Sequence, residues 1–485
     1  MLWIPVNGSG GERALADKLV ELPIKDVTID ANGSEGEYEW WRHTIGHGGI
    51  NSLPLPAKVI EGSAKLAPRL VRTFIQEYFD IYPEHGRFDW SRLDPYMDSL
   101  AATGGKVVAA ITIKPRALFP AIDSYEVMPN NTAEWQNVIA ELVKRYSVHR
   151  PIVTYWEIGN EPDIGENGGS PYYFRAAEQY NEFYRMTIEP ILAVFPEAKV
   201  GGPALAHAGN AMMLELIRYC RETGCRLDFV SWHFYDNDPH LHQQWVKTIK
   251  GYLDELLPSA RPEMLVTEWN KMFDPVSVEE LAYAPERSAM IAAGIMSMME
   301  AGLDYSFYYH VWDQVNYVPE FSRFFHDVGI MTKHWNEIPH RFGLFGVEAE
   351  VRPQYFVYQM FSRMGDERLT AGCEDNSLRI HAARNSRQIS VMLVNYEMDT
   401  SQSVIANLRF KNLTPGRRML TVYRIDDKLR YSAEDLELIP VERREIDSPD
   451  QFMCQVYSPG DSVTMCTLTE IEDQVEPADT GGIGE

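Results

Sequence analysis

The chain has 485 residues and carries 45 basic and 70 acidic side chains, for a formal net charge of −25. This charge would repel phosphate backbones and anionic membrane surfaces, which argues against nucleic acid and lipid as partners and favours a neutral substrate. The length exceeds that of one ordinary core and predicts two domains.

The N-terminal segment, residues 1–35, has a strand-like run at Asp26–Asp30 that we expect to pair with a β-sandwich formed by the end of the chain. The opening residues Met1–Pro5 lack the basic and apolar regions of a secretory signal. No uninterrupted apolar stretch approaches the ~18 to 20 residues that a membrane span requires. These features predict a cytoplasmic protein, with secretion as the alternative if a leader was removed.

Residues 36–365 alternate short β-rich runs with longer amphipathic patterns, the order expected of a parallel βα sheet. Candidate strands lie near residues 43–49, 69–79, 106–113, 152–158, 198–202, 228–234, 263–267 and 303–310. Apolar residues at three- and four-residue spacing predict helices at Glu134–Tyr146, Tyr173–Leu192, Ala211–Thr223 and Arg287–Met299. Eight such strands suit an α/β fold, the closed (β/α)8 TIM barrel.

After a last helical stretch at Pro353–Arg363, the apolar pattern changes to period two, as in Ile389–Val394 and Met419–Tyr423. This alternation, with turn residues between the runs, predicts an antiparallel β-sandwich accessory domain over residues 366–473. The acidic, glycine-rich residues 474–485 have no apolar face and are expected to form a disordered tail.

Two glutamates directly follow candidate strands. Glu161 lies in the run Tyr155–Gly165, where an apolar strand leads into Asn-Glu-Pro, and Glu268 follows the apolar run Met264–Thr267. Their separation of 107 residues (268 − 161) corresponds to about three βα units of roughly 35 residues each, which places them on the fourth and seventh strands. Because barrel enzymes keep their chemistry at the carboxyl ends of the strands, the pair indicates glycoside hydrolysis.

Cleavage of a glycosidic bond with retained configuration needs a protonated carboxyl and an ionised carboxylate about 5 to 5.5 Å apart. Glu161 suits the proton donor, because enclosure by Trp156 and the Tyr172–Tyr173 region would raise its pKa. Glu268 suits the nucleophile in surroundings that keep it ionised. Once a glycosyl-enzyme has formed, Glu161 would act as the base towards water.

These residues also allow other interpretations. An isolated Asn-Glu-Pro is more often a surface turn, and Glu268 by itself would be an ordinary solvated acid. The pair His240 and His242 has a spacing that metal ligands can adopt, and two acidic residues lie upstream, Asp236 and Asp238. That pair falls in a polar stretch that opens a helix, so we expect neither a metal nor another cofactor. A non-catalytic carbohydrate-binding barrel is the other alternative.

Three motifs carry a family resemblance: Asn160–Pro162, Asp228–Tyr235 and Thr267–Asn270. Together they resemble glycoside hydrolase clan A, and most closely family 39, the β-xylosidase and α-L-iduronidase group. The resemblance covers about residues 40–365. It implies a retaining O-glycosidase in which Glu161 is the acid/base and Glu268 the nucleophile.

The resemblance also implies supporting roles for four further residues. Asn160 would donate to the sugar 2-hydroxyl, Tyr235 would hydrogen-bond the nucleophile, and His233 would contact the glycone. Arg72 is similar to the second-strand arginine of the clan, which supports the nucleophile by charge and hydrogen bonding. Arg69 is the alternative candidate for that arginine.

One position departs from the family pattern. Many members continue the second strand as Arg-x-His, whereas this chain has Phe74 at the histidine position. His47, in a glycine-rich turn at the end of the first strand, would supply an alternative sugar contact or simply face solvent. Trp312 lies where clan members place an aromatic floor beneath the sugar, with packing inside the barrel as the alternative.

The predicted function is therefore an exo-acting β-glycosidase on a neutral sugar, similar to a β-xylosidase, with an oligosaccharide or glycoside as its partner. The same clan offers β-glucosidase, β-galactosidase, arabinosidase and α-L-iduronidase activities as alternatives. Sequence alone does not distinguish these glycones, exo from endo cleavage, or one oligomeric state from another.

Overall fold

The computed structural model describes residues 22–48, 52–272, 285–314, 343–374, 378–399, 401–429 and 434–471. It contains a closed eight-stranded barrel and a nine-stranded sheet, which confirms the predicted fold class. The expected tail at 474–485 and the first 21 residues of the N-terminal segment lie outside the described residues.

All strands of the barrel run parallel, and its last strand pairs with its first to close the cylinder. The strands are β2 (His43–Gly46), β3 (Leu70–Gln76), β4 (Lys106–Thr112), β5 (Val153–Ile158), β6 (Lys199–Leu205), β7 (Phe229–Tyr235), β8 (Glu263–Asn270) and β9 (Tyr305–Tyr309). Inside the cylinder, apolar side chains such as Leu70, Tyr155 and Phe229 form a packed layer. The carboxyl ends of all eight strands therefore meet above a filled core.

Helices cover the outside of the barrel, and their apolar faces pack on its strands in the larger hydrophobic core. The helices are α1 (Ala57–Lys65), α2 (Leu93–Ala101), α3 (Thr132–Val143), α4 (Ala177–Val194), α5 (Ala211–Thr223), α6 (Pro239–Leu256), α7 (Pro285–Ala301) and α8 (Pro353–Ser362). Short helical turns lie at Trp40–Arg42, Glu77–Phe79, Lys144–His149 and Gly165–Gly168. Within the described ranges, no helix combines the length and apolar character that crossing a bilayer would require.

Helix α4 begins later than the apolar spacing predicts. The predicted start was Tyr173, but the helix begins at Ala177. The backbone amides of Tyr173 and Phe174 donate to the carbonyls of Ser124 and Pro162, so these residues belong to the preceding loop. Hydrogen bonds to other loops therefore keep these residues out of the helix, although their apolar spacing continues the helical pattern at the N-terminus of α4.

The nine-stranded sheet has the order β15-β14-β17-β12-β11-β10-β1-β13-β16. Its strands are β1 (Ile24–Glu37), β10 (Glu367–Cys373), β11 (Arg379–Arg384), β12 (Gln388–Asn395), β13 (Val404–Lys411), β14 (Gly416–Ile425), β15 (Glu442–Ser448), β16 (Phe452–Ser458) and β17 (Ser462–Glu470). β1 pairs antiparallel with β10 but parallel with β13, whereas the other neighbours are antiparallel. The sheet encloses a second hydrophobic core of its own.

Candidate active site

Side chains from four barrel strands meet at the carboxyl edge of the barrel. Arg72 comes from β3, Glu161 follows β5, His233 and Tyr235 lie on β7, and Glu268 lies on β8. Both glutamates are almost entirely buried, with Glu161 8% and Glu268 7% exposed. The structure thus brings together the two glutamates that were predicted to share a site.

A buried network centred on Arg72 supports Glu268. The Arg72 guanidinium donates from Nη1 to Glu268 Oε2 at 3.1 Å, and from Nε and Nη2 to Glu157 Oε2 at 3.1 and 3.0 Å. Nη2 also donates to Asn160 Oδ1 at 2.5 Å. Such charge-assisted hydrogen bonds fix the plane of the guanidinium, so that one of its nitrogens faces Glu268.

Glu157 is a member of this network that the sequence reasoning missed. It lies within the apolar strand β5, is fully buried, and shares the interior of the barrel with Tyr155 two residues earlier. A single acid inside an apolar strand is the signal that could have identified Glu157, since a buried carboxylate needs a cationic partner. Arg72 is that partner.

Arg69, the alternative to Arg72, occupies a different place. Its guanidinium stacks on the Trp41 ring, with 3.8 Å to the ring centroid, just before β3 begins. The start of a barrel strand is opposite to the edge that carries the glutamates. The geometry therefore favours Arg72.

Glu268 receives a second hydrogen bond from Tyr235, whose hydroxyl donates to Oε1 at 2.5 Å. Burial raises the pKa of Glu268, while the Arg72 charge and the Tyr235 hydrogen bond oppose that rise. A β-bulge in β8 places Glu268, and not Thr267, opposite His233 of β7. Because side chains alternate along a strand, the extra residue turns Glu268 towards the barrel axis.

The surroundings of Glu161 raise its pKa more strongly than those of Glu268 raise the pKa of that residue. Burial and the negative charge of Glu268 raise its pKa well above the ordinary value, which favours the protonated form. Its backbone has a left-handed φ of 44°, and its amide donates to the Ala204 carbonyl at 2.8 Å. Such backbone is costly for a residue with a side chain and persists only where neighbouring contacts hold it.

Gly168 closes over the Glu161 carboxyl. A Cβ added to Gly168 would lie 1.7 Å from Glu161 Oε2, so no larger residue fits here unless one of the two moves. The carbonyl of Gly168 also accepts a hydrogen bond from Asn160 Nδ2 at 3.4 Å. The loop that contains Gly168 is therefore part of the wall around Glu161.

His233 lies against Glu161, a contact that the family resemblance did not imply. Its Nδ1 is 2.7 Å from Glu161 Oε1 and 3.9 Å from Glu268 Oε2. Burial and the charge of Arg72 lower the pKa of His233 well below its ordinary value, so the ring is neutral. Its Nε2 is buried and has no hydrogen-bond partner among the described residues.

The remaining predicted contacts are aromatic or apolar. The buried His47 ring stacks with Trp312 at a centroid distance of 6.3 Å, and neither of its nitrogens has a hydrogen-bond partner within the described ranges. Trp312 is buried, and its indole nitrogen donates to the Val347 carbonyl at 3.1 Å. Phe74 stacks on Tyr309 at 6.4 Å. These rings form an aromatic wall on the side of β2, β3 and β9.

The two carboxyls lie close enough for one sugar carbon to be reached by both. One oxygen of Glu161, one of Glu268 and a ring nitrogen of His233 all lie within 4.8 Å of one another. This short gap matches a double displacement, in which carboxyls are about 5 to 5.5 Å apart, and not the wider gap that an inverting enzyme needs for water.

The same three side chains form the one group of possible metal ligands among the described residues. The positive charge of Arg72, hydrogen-bonded to Glu268, would repel a divalent cation there. His240 and His242 do not form such a group: His242 is buried against the Trp269 ring, and His240 lies 3.3 Å from Arg379. The geometry therefore gives no support to the metal interpretation.

A TIM barrel with paired buried glutamates at the carboxyl ends of its fourth and seventh strands has the architecture of a glycoside hydrolase. The model of the family described as "Glycosyl hydrolases family 39" matches residues 70–407. The chain belongs to this family, which confirms the resemblance seen in its motifs.

Named relatives agree with this assignment. The chain is 25% identical over 365 residues to "Beta-xylosidase" of Caldicellulosiruptor saccharolyticus, covering 70% of each chain. It is 22% identical over 428 residues to "Beta-xylosidase" of Geobacillus stearothermophilus, covering 79% of each. A solved structure, a monomeric β-xylosidase from Caulobacter crescentus CB15, superposes with a TM-score of 0.75 at 18% identity, over 92% of this chain and 100% of that one. At that identity the structural likeness supports the fold alone.

Proposed function

We propose that this glycoside hydrolase is a retaining, exo-acting β-glycosidase for a neutral sugar, with Glu161 as acid/base and Glu268 as nucleophile. The observation that carries the proposal is the contrast between two carboxyls within 4.8 Å. Burial and the negative charge of Glu268 raise the pKa of Glu161 strongly. The charge of Arg72 and the hydrogen bond from Tyr235 stabilise the ionised form of Glu268. One is suited to carry a proton and the other to carry a charge.

In the first step, Glu268 Oε attacks the anomeric carbon and the bond to the leaving oxygen breaks. Glu161 gives its proton to that oxygen, so the aglycone departs as a neutral alcohol. Neutralisation of Glu268 in the ester removes the charge that raised the pKa of Glu161. Glu161 is therefore left as a carboxylate, ready to act as a base.

In the second step, water attacks the same anomeric carbon from the side that the aglycone left. Glu161 takes a proton from this water, and the ester bond to Glu268 breaks. The sugar is released with its original anomeric configuration, and both carboxyls return to their starting states.

Burial and charge support a small neutral glycone. Both carboxyls are enclosed, which suits a pocket for a terminal sugar better than an open cleft. Arg72 is already engaged by Glu157, Glu268 and Asn160, so it is not available to a sugar carboxylate. Xylose is the neutral sugar that the names of the two curated relatives above favour, since each is called a β-xylosidase.

A panel of p-nitrophenyl glycosides, with both anomers of each common sugar, tests this proposal. We expect the highest kcat/KM for β-xyloside, and NMR of the first-formed product should show the β anomer. A preference for β-glucoside, β-galactoside, an arabinoside or an α-L-iduronide would change the proposed sugar specificity but leave the proposed mechanism unchanged. An inverted first product would overturn the mechanism, and a failure to hydrolyse any member would favour a non-catalytic sugar-binding barrel.

A further inference from the structure

A buried lysine lies beside the wall that encloses Glu161. Lys114 follows β4 by two residues, at the same edge of the barrel as the active site, and is 8% exposed. Its Nζ donates to the carbonyl of Asp123 at 2.6 Å and to the carbonyl of Pro171 at 3.0 Å. Because Asp123 follows β4 and Pro171 follows β5, one ammonium joins two neighbouring loops.

The loop that ends at Pro171 is the one that begins at Glu161. We call residues 161–171 the acid/base loop. The amides of Ile164 and Gly165 donate to the Glu161 carbonyl at 3.1 and 3.0 Å, and the Ser170 amide donates to the Gly165 carbonyl at 3.1 Å. Since Gly168 lies against the Glu161 carboxyl, a shift of this loop would move the wall of the site.

Aromatic contacts hold the Lys114 side chain in place. Its Nζ lies 5.0 Å from the centroid of the Tyr172 ring and 5.5 Å from that of Phe119. The Tyr172 hydroxyl donates to the Ile113 carbonyl at 2.6 Å, which ties the residue after Pro171 to the residue before Lys114. Ring faces attract a desolvated ammonium, so the cation is stabilised at the point where the two loops meet.

Lys114 interacts with a buried acid, Glu77, and forms no direct ion pair among the described residues. Neither oxygen of the Glu77 carboxyl has a hydrogen-bond partner among these residues. Burial lowers the pKa of Lys114 to about 8, and burial raises the pKa of Glu77 to about 8. Because two of its three N–H donors bind carbonyls of different loops, the ammonium acts on the position of these loops.

We propose that Lys114 is a positioning residue that holds the acid/base loop against Glu161, and so keeps the proton donor enclosed and aligned. This inference rests on the proposed function, in which Glu161 is the proton donor. Without the two hydrogen bonds from Nζ, the Asp123 and Pro171 carbonyls would lose their shared partner. Loosening the loop would admit water to Glu161 and would impair proton donation more than nucleophilic attack.

The test compares Lys114→Met with the parent enzyme on two β-glycosides of the accepted sugar. Phenol is a poor leaving group that needs a proton, whereas 2,4-dinitrophenol leaves without one. We expect kcat/KM for the phenyl glycoside to fall about tenfold or more, part of the 10²- to 10⁴-fold that general acid catalysis supplies. The kcat/KM for the dinitrophenyl glycoside should change less than about threefold, because it reports attack by Glu268 alone.

The matched control is Lys199→Met. Lys199 lies at the opposite end of the barrel, donates to the Tyr155 hydroxyl at 3.0 Å and to Glu263 Oε1 at 2.5 Å, and contacts the Tyr155 ring at 4.9 Å. The Lys199→Met substitution removes a similar set of contacts far from Glu161, so kcat/KM should change by the same factor for both substrates. If Lys114→Met does not fold, as judged by circular dichroism, Lys114→Gln is measured by the same ratio.

A second readout separates positioning from general damage. The basic limb of the kcat/KM profile for the phenyl glycoside should move to lower pH in Lys114→Met, since a hydrated Glu161 loses its proton more easily. Equal losses on both substrates, or an unmoved basic limb, would overturn the role of Lys114. A separate measurement on Glu161→Ala tests the proposed function itself. If this variant loses kcat/KM equally for the phenyl and the dinitrophenyl glycoside, Glu161 is not the proton donor, whatever the result for Lys114→Met.

Discussion

His233 Nδ1 lies 2.7 Å from Glu161 Oε1, and both side chains are buried. Because burial and the charge of Arg72 keep the imidazole neutral, this is a hydrogen bond to Glu161 and not an ion pair. One of the two partners donates the shared hydrogen, and either arrangement fixes the direction in which Glu161 presents its other oxygen. His233 is thus positioned to orient the proposed proton donor.

Replacing His233 by phenylalanine keeps an aromatic ring but removes that hydrogen bond. We expect kcat/KM for a phenyl glycoside to fall roughly 10- to 100-fold, because a misaligned proton donor costs rate even at small displacements. The control is His43→Phe, which removes the buried hydrogen bond between Nδ1 and Ser306 Oγ, 3.0 Å long, at the start of β2. A loss of equal size in the control would mean that the effect comes from packing.

The pH profile of kcat/KM should be bell-shaped. In the proposed mechanism, activity needs Glu268 ionised and Glu161 protonated, so kcat/KM falls below the pKa of Glu268 and above the pKa of Glu161. Both pKa values are raised by burial, and that of Glu161 is raised further by the Glu268 charge, so the optimum should lie above the ordinary glutamate range. The parent enzyme should show this basic limb with the phenyl glycoside, which needs a proton from Glu161, and lose it with the 2,4-dinitrophenyl glycoside, which does not. A limb of equal size with both substrates would assign it to another group.

Glu268→Ala should retain the fold and lose turnover by roughly 10⁴- to 10⁶-fold, as expected for a nucleophile. Azide should enter the space of the missing carboxylate and restore reaction, giving a glycosyl azide of inverted configuration, which NMR identifies. Rescue of Glu161→Ala by azide should instead give the retained configuration. An unchanged rate in Glu268→Ala would remove this residue from the mechanism.

Glu157→Gln tests the hydrogen-bond network around the proposed nucleophile, Glu268. Burial raises the pKa of Glu268 and the Glu157 charge adds to the rise, so neutralising residue 157 should move the acidic limb of kcat/KM to lower pH. We also expect kcat/KM to fall roughly 10- to 100-fold, because Arg72 loses the partner that orients it. Unfolding in urea should show a loss of about 1 to 3 kcal/mol, the usual cost of weakening a hydrogen bond to a buried charged group. An acidic limb that stays in place would contradict the coupling.

Gly168→Ala tests the enclosure of Glu161 directly. The new methyl group would overlap the carboxyl, so one of them must move, and kcat/KM should fall more for a phenyl than for a dinitrophenyl glycoside. Gly251→Ala is the control, since a Cβ at that helical position meets no atom within 4 Å. We expect the control to keep its activity and to gain up to about 1 kcal/mol of stability. If both variants keep the kcat/KM of the parent enzyme, residue 168 does not press against the Glu161 carboxyl.

Much of this protein is determined locally and could be predicted from its sequence. Alternating apolar runs and amphipathic stretches depend on neighbouring residues, and they indicated the barrel, the later sheet and the strand ends that carry Glu161 and Glu268. Arg72 was also identified, through the resemblance of its strand to the second strand of the clan, with Arg69 as the alternative.

Only the tertiary structure decided how these side chains face one another. The bulge at Thr267 turns Glu268 inward, and it depends on the pairing of β8 with β7, which no local pattern reveals. The partnership of Glu157 with Arg72, the contact of His233 with Glu161 and the parallel pairing of β1 with β13 likewise join distant parts of the chain. Register and side-chain direction are set by long-range packing, so the sequence alone indicated the proposed catalytic pair and the fold determined its geometry.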